Sequence, residues 1–161
     1  MYMFTLAAHN ILRWVVVLLA VYALVRIYMG LFGKKEFTEA DRKSLSFYTI
    51  SMDIQLLVGL LLYLVLSPIT TGAFGNFGAA MGDDTLRFFA VEHISVMVIA
   101  VILAHVAVIM VKRATTSAAK FRRAAIWTTL SVLAMLFAIP WWRPLLPHAV
   151  QQVSALLQLS L

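Results

Sequence analysis

Four long apolar stretches run along the chain, at about 11–32, 45–66, 88–111 and 124–139, with short charged connections between them. Crossing the hydrocarbon of a bilayer takes about 20 helical residues, so the pattern predicts four membrane-crossing helices. Short connections make neighbouring spans antiparallel. The predicted fold is therefore an all-α, antiparallel four-helix membrane bundle over residues 1–143. The first stretch reads as a retained span and not a signal peptide, because no basic residue precedes Arg13 and the apolar run is too long for one.

Local signals mark the helix ends. Gly30 and Gly33 suit the end of the first helix, and Thr38 with Asp41 forms a capping box that starts the second. Ser67-Pro68 stops the second helix. Residues 69–82, with Gly72, Gly75, Gly78 and Gly82, read as an outer loop at the membrane interface. Asp84 is the expected N-cap of the third helix and Ser117 that of the fourth, which ends at Pro140 beside the interfacial anchor Trp141, Trp142 and Arg143. Beyond it, Ala149, Val150, Val153, Leu156, Leu157 and Leu161 recur at helical spacing, interrupted by Gln151, Gln152, Ser154 and Gln158. Residues 144–161 are therefore expected as an amphipathic helix on the outer surface or against a partner.

Composition supports the membrane assignment: 63% of residues are hydrophobic and only 12% charged, against about 25% charged in soluble domains. The net charge of +6 gathers in two loops, one with Lys34, Lys35, Arg42 and Lys43, the other with Lys112, Arg113, Lys120, Arg122 and Arg123. That asymmetry points to cytoplasmic basic loops, periplasmic termini and a bacterial inner membrane, with anionic lipid and not nucleic acid as the counter-charge. The chain has no cysteine, which excludes disulfides, thiolate metal sites and covalently attached haem.

Ionisable residues inside the spans fall into two layers. The outer layer holds His9 and Arg13 in the first span with Glu92 and His93 at the start of the third. Because first and third spans run parallel, His9 and His93 are expected at one depth, where two imidazoles suit the axial positions of a haem b. Met97, Ala100 and Ala104 follow His93 along one stripe and would leave space for the macrocycle. Arg13 could pair with a propionate or with Glu92. The bland alternative makes His9 an interfacial histidine and Glu92 a simple neutraliser of Arg13.

The inner layer holds Arg26, Asp53 and His105, which lie 8, 10 and 7 residues inside Lys34, Lys43 and Lys112. Arg26–Asp53 could be a registry ion pair with His105 beside it. Alternatively, Asp53 and His105 form a proton-handling pair next to a quinone headgroup. Met52 or Met110 could pair with His105 on a second haem, but methionine is also ordinary core filler.

The stretches His9-Asn-Ile-Leu-Arg-Trp14, Gln55-Leu-Leu-Val-Gly-Leu-Leu-Leu-Tyr63 with Ser67-Pro68, and Leu86-Arg-Phe-Phe-Ala-Val-Glu-His93 resemble a family of small four-helix integral membrane proteins of Bacteroidetes-type bacteria described as cytochrome-b-like. The resemblance covers about 9–142 and implies that His9, Arg13, Glu92 and His93 form the polar set, the histidines being candidate haem ligands. Di-haem transmembrane cytochromes carry two histidines on each of two helices, a pattern this chain lacks. The expected function is a haem-b electron carrier exchanging electrons with quinol or a periplasmic carrier, with no catalytic set of its own. The competing expectations are a cofactor-free accessory or assembly subunit, bound to other membrane subunits or to further copies of itself, and a proton relay through Arg26, Asp53 and His105.

Overall fold

A computed structural model of the chain describes residues 1–143. The amphipathic helix expected over 144–161 lies outside the described residues. Helix α1 spans Tyr2–Phe32 and α2 Glu39–Leu61, its last turn widening over Leu62–Leu66. Short helices α3 (Pro68–Gly75), α4 (Phe77–Ala80) and α5 (Asp84–Arg87) lead through a second widened turn, Phe88–Glu92, into α6 (His93–Lys112) and then α7 (Ser117–Ala138). The four segments Tyr2–Phe32, Glu39–Leu66, Asp84–Lys112 and Ser117–Ala138 are long and apolar enough to cross a membrane. The all-α bundle is as expected, and the chain has the architecture of a multi-pass membrane protein.

Pairing α1 with α2, α2 with α6, α6 with α7 and α7 with α1 closes the four long helices into a ring. Its interior is built from small residues: Ala20, Ala23, Ala100, Ala104, Ala107 and Ala124 are almost fully buried. Large apolar side chains such as Leu18, Leu57, Ile102, Leu133 and Phe137 face outward. Hydrocarbon solvates those outer groups, so helix association relies on close backbone approach and interhelical hydrogen bonds. Gly30 is one such approach, since a Cβ there would stand 2.1 Å from the ring of buried Phe121. Gly33 caps α1 at φ −77°, and the positive φ of 49° in the following turn falls on Lys34. The glycine pair thus serves packing at Gly30 and helix termination at Gly33.

Polar side chains tie the ring together. Buried Ser131 on α7 donates its hydroxyl hydrogen to the Ala100 carbonyl of α6 at 2.7 Å. Tyr48 on α2 must then be the donor in its 2.8 Å bond with Ser131 Oγ. At the basic-loop end, Asp41 accepts from the Thr38 backbone and from Arg26, and Ser117 Oγ accepts from the Phe37 amide. The Thr38–Asp41 capping box is as expected, whereas α7 is capped by Thr116 rather than Ser117 and α5 by Asp83 rather than Asp84.

The outer segment departs from expectation, being helical where a glycine-rich loop was anticipated. Pro68 opens α3 at a position needing no amide hydrogen, while Asn76 and Asp83 cap α4 and α5. In both widened turns the amide donates five residues back, Ser67 to the Leu62 carbonyl and His93 to the Phe88 carbonyl. Tyr63 joins them by donating to the Ala90 carbonyl at 2.7 Å.

Replacing Ser131 with alanine leaves the Tyr48 hydroxyl buried without an acceptor, at a cost of about 1–3 kcal/mol. Tyr48→Phe removes the same bond and strands no donor. Unfolding in detergent should therefore rank Ser131→Ala below Tyr48→Phe in stability; the reverse order would disprove the direction assigned to this chain of bonds.

Candidate functional site between the first and third spans

The outer ends of α1, α2 and α6 enclose a cleft lined by His9, Arg13, Gln55, Gly59, His93 and Met97, with apolar walls including Leu56, Phe89 and Ile139. Its volume is about 110 Å³. That is below the roughly 300–1,000 Å³ of small-molecule and cofactor pockets.

The two histidines meet here. Their ring centres are 6.5 Å apart and their planes 74° apart. His93 enters the cleft directly after the widened turn Phe88–Glu92, which resets the phase of α6 at that residue. Its Nδ1 donates to the Ala138 carbonyl at 2.8 Å. That carbonyl is available because α7 ends at Ala138, among the last carbonyls of the helix, which have no helical amide to bond. His93 Nε2 has no hydrogen bond among the described residues.

His9 is held from α2. Gln55 Nε2 donates to the His9 carbonyl at 3.0 Å and lies 3.3 Å from its ring Nε2. One turn further, a Cβ on Gly59 would stand 3.1 Å from His9 Cε1, so the glycine leaves space for the imidazole. His9 Nδ1 is buried without a hydrogen-bond partner. A spacing pattern built on ionisable residues passes over Gln55 and Gly59; the signal in the sequence is a lone amide in an apolar span, four residues before a glycine.

Arg13 sits below His9 and is only 7% exposed. Its Nη1 reaches the Pro140 carbonyl at 3.5 Å, its Nε is buried without a partner, and no carboxylate pairs with it among the described residues. The anticipated Arg13–Glu92 pair is not formed. Glu92 accepts from Arg87 at 2.8 Å, because the widened turn puts Glu92 on the outer face beside α5. Arg143, also on the cleft, packs over the Phe89 ring at 4.3 Å.

Met97 lies on the cleft. Ala100 does not: it is fully buried in the bundle core below the cleft, with its carbonyl bound to Ser131. The inner layer separates in the same way. Arg26 pairs with Asp41 at 2.8 Å and not with Asp53, because the hairpin between α1 and α2 brings the capped start of α2 alongside Arg26. Asp53 instead accepts from His105 at 2.9 Å across α2 and α6. No cluster of three or more histidine, aspartate or glutamate side chains suited to a metal ion occurs among the described residues.

No family model, curated protein or solved structure matches the chain.

The donor set can be tested against a haem. The two rings, 6.5 Å apart, bring imidazole nitrogens of the kind that would hold a haem iron to one cleft. A ligating imidazole commonly gives its other N–H to a backbone carbonyl, as His93 does. The Arg13 guanidinium, which has no acidic partner among the described residues, provides with nearby Arg143 positive charge for carboxylate substituents. The enclosed volume is smaller than a porphyrin, so seating one requires flexible side chains such as Met97 and Leu56 to move toward the open mouth. The residues fit the group in donor chemistry and charge.

The bond to Ala138 requires a hydrogen on His93 Nδ1. In ligand-free protein labelled with ¹⁵N-histidine, NMR should show His93 protonated at Nδ1 and bare at Nε2; the opposite tautomer would remove the positioning role of the Ala138 carbonyl.

Proposed function

We propose that this chain is a haem-b-binding electron-transfer protein of a bacterial inner membrane, in which His9 and His93, near the periplasmic face, would hold the haem. The observation that carries the proposal is the pair of imidazoles 6.5 Å apart across α1 and α6, beside a buried arginine that has no acidic partner among the described residues. Burying a charge without a counter-ion is costly, and a bound group bearing carboxylates would relieve that cost at Arg13.

When bound, haem supplies a reversible one-electron carrier. The protein's part is positional. Ala138 fixes the His93 ring through Nδ1, and Gln55 and Gly59 define where the His9 ring lies. Arg13 and Arg143 would hold the carboxylates, and the apolar wall limits water around the ligands. The cleft stands at one end of the bundle, so exchange is with quinol or a soluble carrier on that side.

Detergent-purified protein from haem-replete cells should show a stoichiometric b-type band in its reduced-minus-oxidised spectrum. His9→Ala and His93→Ala should each abolish that band. Gln55→Ala should weaken haem retention by about tenfold, the lower range of losses seen when a ligand's supporting partner is removed. A colourless protein, or full haem in both histidine variants, overturns the proposal.

A further inference from the structure

Asp53 and His105 bond to each other at 2.9 Å, yet their side chains are 40% and 50% exposed. They therefore lie on the outside of the bundle, about 10 Å inside Lys112 at 1.5 Å per residue. Ionisable residues at such depth normally face a protein interior or a water-filled cavity. Around them the surface is aliphatic: Ile50 and Leu57 flank Asp53 on α2, and Ile102 and Ile109 flank His105 on α6, all exposed. With His105 Nε2 bonded to Asp53 Oδ1, the second carboxylate oxygen and Nδ1 make no hydrogen bond among the described residues and are open to the outside.

We propose that this α2/α6 face is the interface between two copies of the chain. The pair is self-complementary as a carboxylate and an imidazolium: Asp53 Oδ2 is an acceptor, and beside it the second imidazole nitrogen, His105 Nδ1, is the N–H donor. Two copies inserted in the same direction and related by a two-fold axis along the membrane normal bring both pairs to one depth. Each Asp53 Oδ2 then faces His105 Nδ1 of the second copy, closing a ring of two carboxylates and two imidazoles. Such a two-fold contact uses one patch twice. It removes four exposed polar groups from hydrocarbon, and the flanking isoleucines and Leu57 supply the apolar margin. This inference is independent of whether haem is bound.

The chain has no native cysteine, so single cysteines give a clean cross-linking background. Ile102→Cys places a thiol one turn from His105, and Leu133→Cys places one on the exposed side of α7 as a control. In native membranes, a flexible bifunctional thiol reagent able to reach from α6 to α6 across the two-fold axis should convert Ile102→Cys to a covalent dimer and leave Leu133→Cys largely monomeric. Adding Asp53→Asn to Ile102→Cys should weaken dimer formation by about tenfold, in keeping with the modest strength of polar contacts between membrane helices. Should Asp53→Asn prevent folding, co-expressed Asp53→His and His105→Asp variants provide the second measurement, because mixed dimers alone place two imidazoles opposite two carboxylates and should form in preference to either homodimer. Equal cross-linking at both cysteines overturns the proposal. So does a purely monomeric protein, including one whose Asp53–His105 pair holds a co-purifying quinone displaced by Asp53→Asn.

Discussion

The early stop of α7 governs the outer half of the molecule. The helix ends at Ala138 and Ile139 turns extended, so no amide reaches the Ala138 carbonyl, and His93 takes it; the Leu136 carbonyl, which Pro140 has no amide to bond, accepts from the Trp141 indole instead. Two residues beyond Ala138, the Pro140 carbonyl faces Arg13. One helix terminus therefore addresses both the imidazole of α6 and the guanidinium of α1. A regular continuation of α7 would have used the Ala138 carbonyl within its own backbone and left His93 to turn freely. The opposition of His9 and His93, and with it the functional proposal, depends on this terminus.

Below the cleft the bundle follows a different rule. Alanine-rich interior faces let the helices approach closely, and Tyr48, Ser131 and the Ala100 carbonyl join three of the four long helices through buried bonds. Gln55 belongs to the outer arrangement, Asp41 to the basic-loop end. Each polar group thus serves one level of the bundle. Asp53 and His105 depart from this order because they bond to each other at the lipid-facing surface.

Much of this was legible from residue order. The four spans, the capping box at Thr38 and the approach of His9 to His93 follow from hydropathy, capping chemistry and the parallel direction of alternate spans. What escaped was whatever depends on local phase. Reading a regular helix through 88–92 places Glu92 about 100° from His93 and near Arg13; the widened turn adds a residue there and takes Glu92 to Arg87. Counting depth from the basic loops grouped Arg26 with Asp53, although depth does not report azimuth, and Asp41 was nearer. Ala100 shared a stripe with His93 but lay below the cleft. The glycines of 69–82 suggested a loop, while the caps at Asn76 and Asp83 and the proline at position 68 favoured helix.

The two widened turns also divide the molecule mechanically. Helices α3, α4 and α5 are joined to the long helices through Leu62–Leu66 and Phe88–Glu92, each bonded with a five-residue step, and Tyr63 bridges one to the other. Cooperative opening tends to follow such breaks in regular bonding. The short outer helices accordingly have a small core of their own, Ala73, Ala80 and Ala90, separate from the core around Tyr48 and Met52 in the bundle, so the two ends of one short chain are packed by different sets of residues.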